Sequence, residues 1–231
     1  MICILPAVSS ADRRTQSMLR VGILNNDIGI VKEAINNGAN LNYVLDDYTD
    51  NPLDMAISSG NMDIVKLFLE KGANPNVQIF GNGLITSTPL LKAVAEQNLP
   101  MIKLLVEHGA DINLSCHVYH QPDKKMTSPL IQTIVTTYTK DSMEIFQYLL
   151  QKGADINYVT AEGDTALIVA ANGKGLSPFK RDQLYKIAET LLLKGANKNL
   201  RNNQGKNATD IAIESGFYEM GDLLRQKRFN Q

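Results

Sequence analysis

The sequence has little cysteine, no excess of either charge and no long hydrophobic run, and each lack excludes a class of protein. Its 231 residues include only two cysteines, Cys3 and Cys116, which is too few for a disulfide framework and fits a reducing compartment. The 23 basic and 24 acidic residues leave a formal net charge of -1, which cannot supply the positive field that attracts nucleic acid. No stretch approaches the roughly 20 apolar residues that a membrane span requires. We therefore expect a cytoplasmic chain that binds no nucleic acid and has no membrane span.

The first eleven residues, MICILPAVSSA, leave two alternatives open. The small residues at their end resemble a signal-peptidase site, but no basic region precedes the apolar run and Pro6 interrupts it. We expect residues 1–11 to form a frayed terminus. An export signal, which would place the protein outside the cytoplasm, is the alternative.

Two short phrases recur along the chain in alternation. The first consists of Gly, Ala, Asn or Asp, any residue, and Asn; its copies begin at Gly38, Gly72, Gly109, Gly153 and Gly195. The second places a polar residue before Pro or Ala and a small residue four positions after that; its copies begin at Asn51, Thr88, Ser128, Thr165 and Asn207. The glycines are 34, 37, 44 and 42 residues apart. Repeats of this period indicate a repeat architecture.

Each phrase predicts a particular piece of local structure. Thr or Ser before Pro is a helix N-cap followed by a residue preset for the first helical position. The following Leu and Ala put a large and then a small apolar group on one helix face, so that a neighbouring helix can approach closely. A second amphipathic run follows, such as residues 64–69. Gly72 then ends that helix, where a positive φ is needed.

This unit of two helices and a turn resembles the ankyrin repeat, a family pattern of about 33 residues with a Thr-Pro-Leu-His-x-Ala signature. The resemblance covers about residues 12–228. No copy has His after the Leu, and Ala166 and Ala208 replace Pro in two copies. These positions support local capping and turn geometry, on which the stacked core does not depend. The resemblance implies an all-α ankyrin-repeat solenoid of stacked helix-turn-helix units with β-hairpin-like fingers, about six repeats including two caps.

The repeats divide the chain into caps and internal units. We expect one ankyrin repeat domain at residues 12–228, with an N-terminal cap at 12–42, four internal repeats at 43–199 and a C-terminal cap at 200–228. A single unit cannot bury its apolar face alone, so stability comes from stacking neighbours. We therefore expect a monomer without a flexible linker.

Two fingers and two helix pairs are longer than their counterparts. The segments between the phrases contain 9, 12, 15, 8 and 8 residues, so fingers two and three, residues 77–88 and 114–128, are long. From Pro or Ala to the next Gly the helix pairs span 20, 20, 24 and 29 residues. We predict that the extra 4 and 9 residues lie at the turn between the two helices.

The resemblance places a partner-binding surface on the fingers and on the first helix of each repeat, which form a concave face in this family. Finger two has apolar residues around an Asn-Gly turn, and finger three has a tyrosine and two histidines, which suit protein recognition. Packing of the fingers on each other is the alternative. The candidate contact residues are Ile79, Phe80, Leu84, Ile85, Glu96, His117, Tyr119, His120, Thr136, Asn172, Glu162 and Arg201.

Patterns typical of catalytic or metal sites are weak. Cys116, His117 and His120 resemble half of a metal site, but structural zinc needs four ligands. The glycine clusters at 81–83 and 173–175 lack the frames of nucleotide-binding loops and are simpler as turns. We predict no catalytic residues, no metal and no cofactor.

The resemblance implies a protein-protein interaction scaffold that is not an enzyme. Its partner would be another protein, held on the concave face and the two long fingers. One alternative is a bacterial effector delivered to a host cell, which the richness in Asn and Lys suggests. Another is an enzyme with its site in the insertions, which a cleft of groups with perturbed pKa values would favour.

Overall fold

The described part of the chain contains six consecutive pairs of α-helices. A computed structural model describes residues 10–43, 51–81, 84–117, 126–136 and 140–229. The first helix of each pair, here called the inner helix, is α1 (Ser10–Leu24), α3 (Pro52–Ser58), α5 (Pro89–Ala95), α7 (Pro129–Val135), α9 (Ala166–Ala171) or α11 (Ala208–Glu214). The second, outer helix is α2 (Ile28–Asn36), α4 (Met62–Glu70), α6 (Leu99–Glu107), α8 (Lys140–Gln151), α10 (Pro178–Leu193) or α12 (Tyr218–Arg225). Among these described residues, no helix combines the length and the apolar character that crossing a membrane requires.

The polar residue before each inner helix from α3 onward caps it. Thr88 Oγ1 accepts a hydrogen bond from the backbone N–H of Leu91 at 3.2 Å. Thr165 caps α9 in the same way, although Ala stands where other copies have Pro. At α11, Asn207 and Asp210 form a reciprocal capping box. Since a cap stabilises a helix by about 1 kcal/mol, these hydrogen bonds keep the helix start where Pro is absent.

A small residue in each inner helix lies at the centre of the stack. Each inner helix packs against the inner helices of the neighbouring repeats and against its own outer helix. The alanines at this position are fully buried: Ala56, Ala93, Ala170 and Ala212. Thr133 takes the place in α7, and its buried hydroxyl donates to the carbonyl of Leu130 at 2.7 Å. The stack therefore joins the repeats through one apolar core that runs from Leu19 to Phe229.

The glycine phrase ends each outer helix and links it to the next repeat. All five of its glycines have φ between +87° and +91°, a conformation in which glycine is favoured. The last Asn of the phrase bridges forward: Asn76 Nδ2 donates to the carbonyl of Gly109 at 2.9 Å, and its Oδ1 accepts from the N–H of Asp111 at 2.6 Å. Asn42 and Asn113 bridge to their following repeats in the same way.

At the first pair, α1 supplies the bridge that a preceding repeat would otherwise provide. The side-chain amide of Gln16 donates to the carbonyl of Asn40 at 2.9 Å and accepts from its N–H at 3.1 Å. At the other end, Lys198 Nζ donates to the carbonyls of Leu224 and Gln226 at the end of α12. A 3-10 helix, Lys227–Phe229, then places the side chain of Phe229 on the core.

The extra residues of the longer repeats mostly extend the outer helices, so the prediction that they all lie at the turn is wrong. The turn at 172–177 has six residues against three at 59–61, but α10 has 16 residues and α4 has 9. The added helix begins with a Ser-Pro start signal, in which Ser177 caps α10. Its first turn is anchored because Arg181 donates to the carbonyls of Gly173 and Gly216.

The long fingers contain antiparallel hairpins, and the last two fingers are joined. Strands β1 (Ile79–Gly81) and β2 (Leu84–Ser87) pair in finger two, and β3 (Cys116–His117) and β4 (Met126–Thr127) pair in finger three. Strand β2 lies beside β3, so these two fingers are neighbours. In the last two fingers, residues 158–165 and 200–207, Asn203 donates through its backbone N–H to the carbonyl of Glu162 at 2.9 Å. A Cβ on Gly163 would lie 2.7 Å from the backbone of Asn202, so only glycine fits there.

Candidate functional site

The inner helices share one register, which their C-terminal turns reveal. The turn residue has a positive φ at Asn26, Gly60, Gln97 and Gly216, with values of 53°, 71°, 56° and 67°. The residue four positions earlier is the buried small residue of each helix: Gly22, Ala56, Ala93 and Ala212. Helix α1 therefore takes the same place in the stack as the other inner helices.

The register brings one row of exposed and half-buried side chains to the same side of the stack. These are residues one position before the small residue and two or three positions after it, a spacing that puts side chains on one helix face. We call the following set the inner-helix face: Val21, Leu24, Asn25, Met55, Ser58, Ser59, Lys92, Ala95, Glu96, Gln132, Val135, Thr136, Val169, Asn172, Ile211, Glu214 and Ser215.

A half-buried ion pair joins α3 and α5 beside this face. Lys92 Nζ lies 3.0 Å from each carboxylate oxygen of Asp54, and the two side chains are 22% and 14% exposed. The ammonium also donates to the hydroxyl of Ser58. Partial burial reduces screening by water, so this contact is stronger than a surface pair. It fixes the relative position of two inner helices.

Glu96 lies one helical turn after Lys92, at the exposed end of α5. Within the residues that the structure describes it forms no salt bridge. Desolvation raises the pKa of Glu96 above its ordinary value of 4.5, while the charge of Lys92 lowers it and that of Asp54 raises it. We call Asp54, Lys92 and Glu96 the charged cluster; two carboxylates and one ammonium give it a net charge of -1.

Aliphatic side chains lie on the inner-helix face on both sides of the charged cluster. Val21 and Leu24 of α1 are 46% and 64% exposed, and Val135 of α7 is 50% exposed. Val169 and Ile211 follow on α9 and α11 and are half-buried. Single exposed aliphatic residues are ordinary, but Val21, Val169 and Ile211 share one register position, and Leu24 and Val135 share another. The charged cluster on α3 and α5 therefore lies between exposed aliphatic side chains on α1 and α7.

Three residues that the sequence predicted as contacts lie on the inner-helix face. Glu96 and Asn172 are exposed at the ends of α5 and α9. Thr136 is half-buried at the end of α7, and its carbonyl accepts from Gln97 Nε2 at 2.8 Å and Ser142 Oγ at 3.2 Å. Sequence reasoning did not include the aliphatic pair on α1 or Lys92. The pair could have been found by aligning residues 22–27 with residues 56–61.

The predicted finger contacts have different surroundings. Ile79 is half-buried on β1. Glu162 is half-buried, and one of its carboxylate oxygens is buried without a hydrogen-bond partner among the described residues. Arg201 is exposed and forms an ion pair with Asp210 at 3.0 Å. The other predicted contacts lie outside the described part of the chain. For Phe80, Leu84, Ile85 and His117 only the backbone is described, and Tyr119 and His120 are not described at all. They stay predictions, as does the frayed terminus at 1–11, of which residues 1–9 lie outside the described ranges.

The described titratable groups with shifted pKa values lie on three different elements. Glu96 is the C-cap of α5, Cys116 is on β3 and Tyr148 is on the outer helix α8. Burial raises the pKa of the Cys116 thiol to about 12, so the thiol is neutral at physiological pH and is a poor nucleophile or metal ligand. Burial, with a smaller contribution from Glu107, raises the pKa of Tyr148. In the described part of the chain, no three acidic, histidine or cysteine residues are grouped as metal ligands would be.

Comparisons with known proteins agree with this architecture. The family pattern described as "Ankyrin repeats (many copies)" matches residues 53–106, and "Ankyrin repeats (3 copies)" matches residues 7–79 and 137–231. A solved ankyrin repeat domain from Acinetobacter baumannii AYE is 25% identical, with a TM-score of 0.71 over 89% of this chain and 95% of that one. The solved ankyrin repeat protein EF0377 is 23% identical, with a TM-score of 0.72 over 91% of this chain and 98% of that one.

No curated protein sequence matches the chain significantly. The predicted solenoid of about six helix pairs is confirmed by the helix order and by these similar structures. The three-copy pattern alone matches more than half of the residues. The chain therefore belongs to the ankyrin repeat family.

Proposed function

We propose that this chain is a scaffold that holds a partner protein on its inner-helix face and its two long fingers. Ankyrin repeats as a family mediate protein-protein interaction. The observation that carries the proposal for this chain is the row of side chains at equivalent positions from α1 to α11. The exposed members of that row are not needed to fill the core, so they are free to contact another molecule.

The packing beneath the inner-helix face lowers the conformational entropy that binding would cost. Each inner helix is held by its buried small residue and by the neighbouring helices, and the Asp54–Lys92 pair joins two of them. A surface that is already ordered loses little conformational freedom when a partner binds. Most backbone groups of the face are also satisfied within helices, so binding depends on side chains.

Affinity capture with paired variants tests the proposal. The protein would be immobilised and exposed to lysate of its source, and the captured proteins would be compared among wild type, Val135→Arg and Gln147→Arg. Val135 is exposed on the inner-helix face, and Gln147 is exposed on the outer helix α8, so neither change disturbs the core. A partner that is retained by Gln147→Arg and lost from Val135→Arg supports the proposal. A partner lost only from the outer-helix variant would contradict it.

The two alternative functions are a host-cell effector and an enzyme. Delivery into a host cell is a matter of where the scaffold acts, and a translocation assay with a reporter fusion tests it. An enzyme would need catalytic groups brought together in one cleft. No observation on the described residues favours this function over a scaffold.

A further inference from the structure

Most carboxylates of the inner helices from α3 to α11 are paired within the chain. The inner helices from α3 to α11 and their C-terminal caps carry four carboxylates, and three of them form salt bridges. The three pairs are Asp54–Lys92, Asp210–Arg201 and Glu214–Lys206, at 3.0, 3.0 and 2.6 Å. Glu96 is the fourth, and among the described residues it has no such partner. This part of the face therefore presents one uncompensated negative charge.

Lys92 lies near Glu96 but forms no salt bridge with it, because the ammonium donors contact other groups. An ammonium group has three donors, and that of Lys92 contacts both oxygens of Asp54 and the hydroxyl of Ser58. An acidic group from a partner would meet a cluster with a net charge of -1 and would be repelled. A lysine or arginine would complete the pairing at Glu96. The charge therefore selects a basic side chain at this point.

The positions of Val135 and Leu24 determine how far from Glu96 a partner would make apolar contacts. Packed helices lie about 8–10 Å apart. Val135 is on α7, the inner helix next to α5, and Leu24 is on α1, two helices away on the other side. The apolar contacts therefore lie about 10 Å from Glu96 in one direction and about 20 Å in the other. An extended chain rises about 3.3 Å per residue, so these distances correspond to about three and about six residues.

We propose that the inner-helix face binds an extended segment of a partner protein in which one basic residue, paired with Glu96, lies between aliphatic residues. One aliphatic side chain contacts Val135, about three residues away, and the other contacts Leu24, about six residues away. This inference rests on the proposed scaffold function and adds the chemistry of the partner. Basic and apolar contacts act together, since the pairing supplies selectivity and the aliphatic burial supplies affinity.

Selection from a displayed library of random peptides of about twelve residues, long enough to span the predicted contacts, tests the inference. The library would be selected on the folded wild-type protein, and the peptides recovered would be sequenced. We expect enrichment of a lysine or arginine with aliphatic residues on both sides. The affinity of each selected peptide would then be measured for wild type, Glu96→Gln, Val135→Arg and Glu33→Gln. Glu33 is an exposed residue of the outer helix α2 and serves as the matched carboxylate control.

We expect Glu96→Gln to weaken binding by up to about fivefold, as for loss of one exposed ion pair, and Glu33→Gln to leave it unchanged. Thermal unfolding of Glu96→Gln at no lower temperature than wild type would show that the loss is not misfolding. Peptides that are weakened by Val135→Arg but contain no enriched basic residue would overturn this inference and leave the scaffold function standing. Peptides unaffected by both face variants would bind elsewhere and would overturn both.

Discussion

Replacing Ala93 by leucine is expected to destabilise the protein, because this methyl group lies at the contact between α5 and the helices around it. Ala93 has no exposed surface, and the equivalent residues of α3, α9 and α11 are buried alanines as well. Adding three carbon atoms there forces the helices apart or the new side chain into a strained rotamer, which costs about 1–3 kcal/mol. That is a large part of a total stability of about 5–15 kcal/mol. In a chain of this size it corresponds to a fall in melting temperature of about 2–12 °C.

The matched control for this prediction lies on the same helix. Ala95→Leu makes the same chemical change two residues later, at an exposed position of the inner-helix face, and should change the free energy of unfolding by less than about 0.5 kcal/mol. Both variants would be unfolded with urea and followed by circular dichroism. If Ala93→Leu were as stable as Ala95→Leu, the small residue would not lie at a helix contact, and the shared register of the inner helices would be wrong.

Three further predictions concern the bridges, the fingers and the charged cluster. Asn76→Ala removes two hydrogen bonds to the following repeat and should cost about 1–2 kcal/mol in urea unfolding, whereas Asn199→Ala, in the last phrase, should cost almost nothing. Gly163→Ala combines a φ of +82° with a backbone clash and should destabilise more than Gly205→Ala, whose φ is +74° and whose Cβ meets nothing; equal unfolding midpoints would refute this. Folding raises the pKa of Glu96 above its ordinary value of 4.5. The contribution of Glu96 to the free energy of unfolding is therefore fully present below pH 4.5 and is lost as the pH rises through the raised pKa. The melting temperature of Glu96→Gln relative to that of wild type should accordingly increase with pH.

Most of the fold could be predicted because its signals are local. Thr88 before Pro, and Gly72 after an amphipathic run, report a cap and a positive φ that the structure contains. The same kind of signal is present at Ser177, where Ser before Pro marks the start of helix α10. This local signal predicts where the inserted residues become helical, whereas the length of the insertion does not. The repeated Asn, such as Asn76, is visible in the phrase, but its partners are 33 and 35 residues away. A local pattern cannot assign such a contact.

The candidate site could be predicted less completely, because it depends on how separate helices align. Glu96 can be placed at a helix end by matching the motif. The pairing of Lys92 with Asp54 depends on two helices whose paired residues are 38 positions apart in the sequence. Leu24 was missed because its helix has Gly22 where the other inner helices mostly have Ala. Recognising that a cap helix keeps the register of the internal repeats would have extended the face to α1.

Site-specific photocrosslinking would show whether a partner is held on the inner-helix face. A photoreactive amino acid would be placed at Ala95, between the charged cluster and Val135, and in a second protein at Gln147 on the outer helix α8. Each protein would be irradiated in source lysate and its covalent adducts identified by mass spectrometry. We predict a specific adduct from position 95 that is absent from position 147. An adduct formed only from position 147 would place the binding surface on the outer helices and contradict the proposed scaffold face.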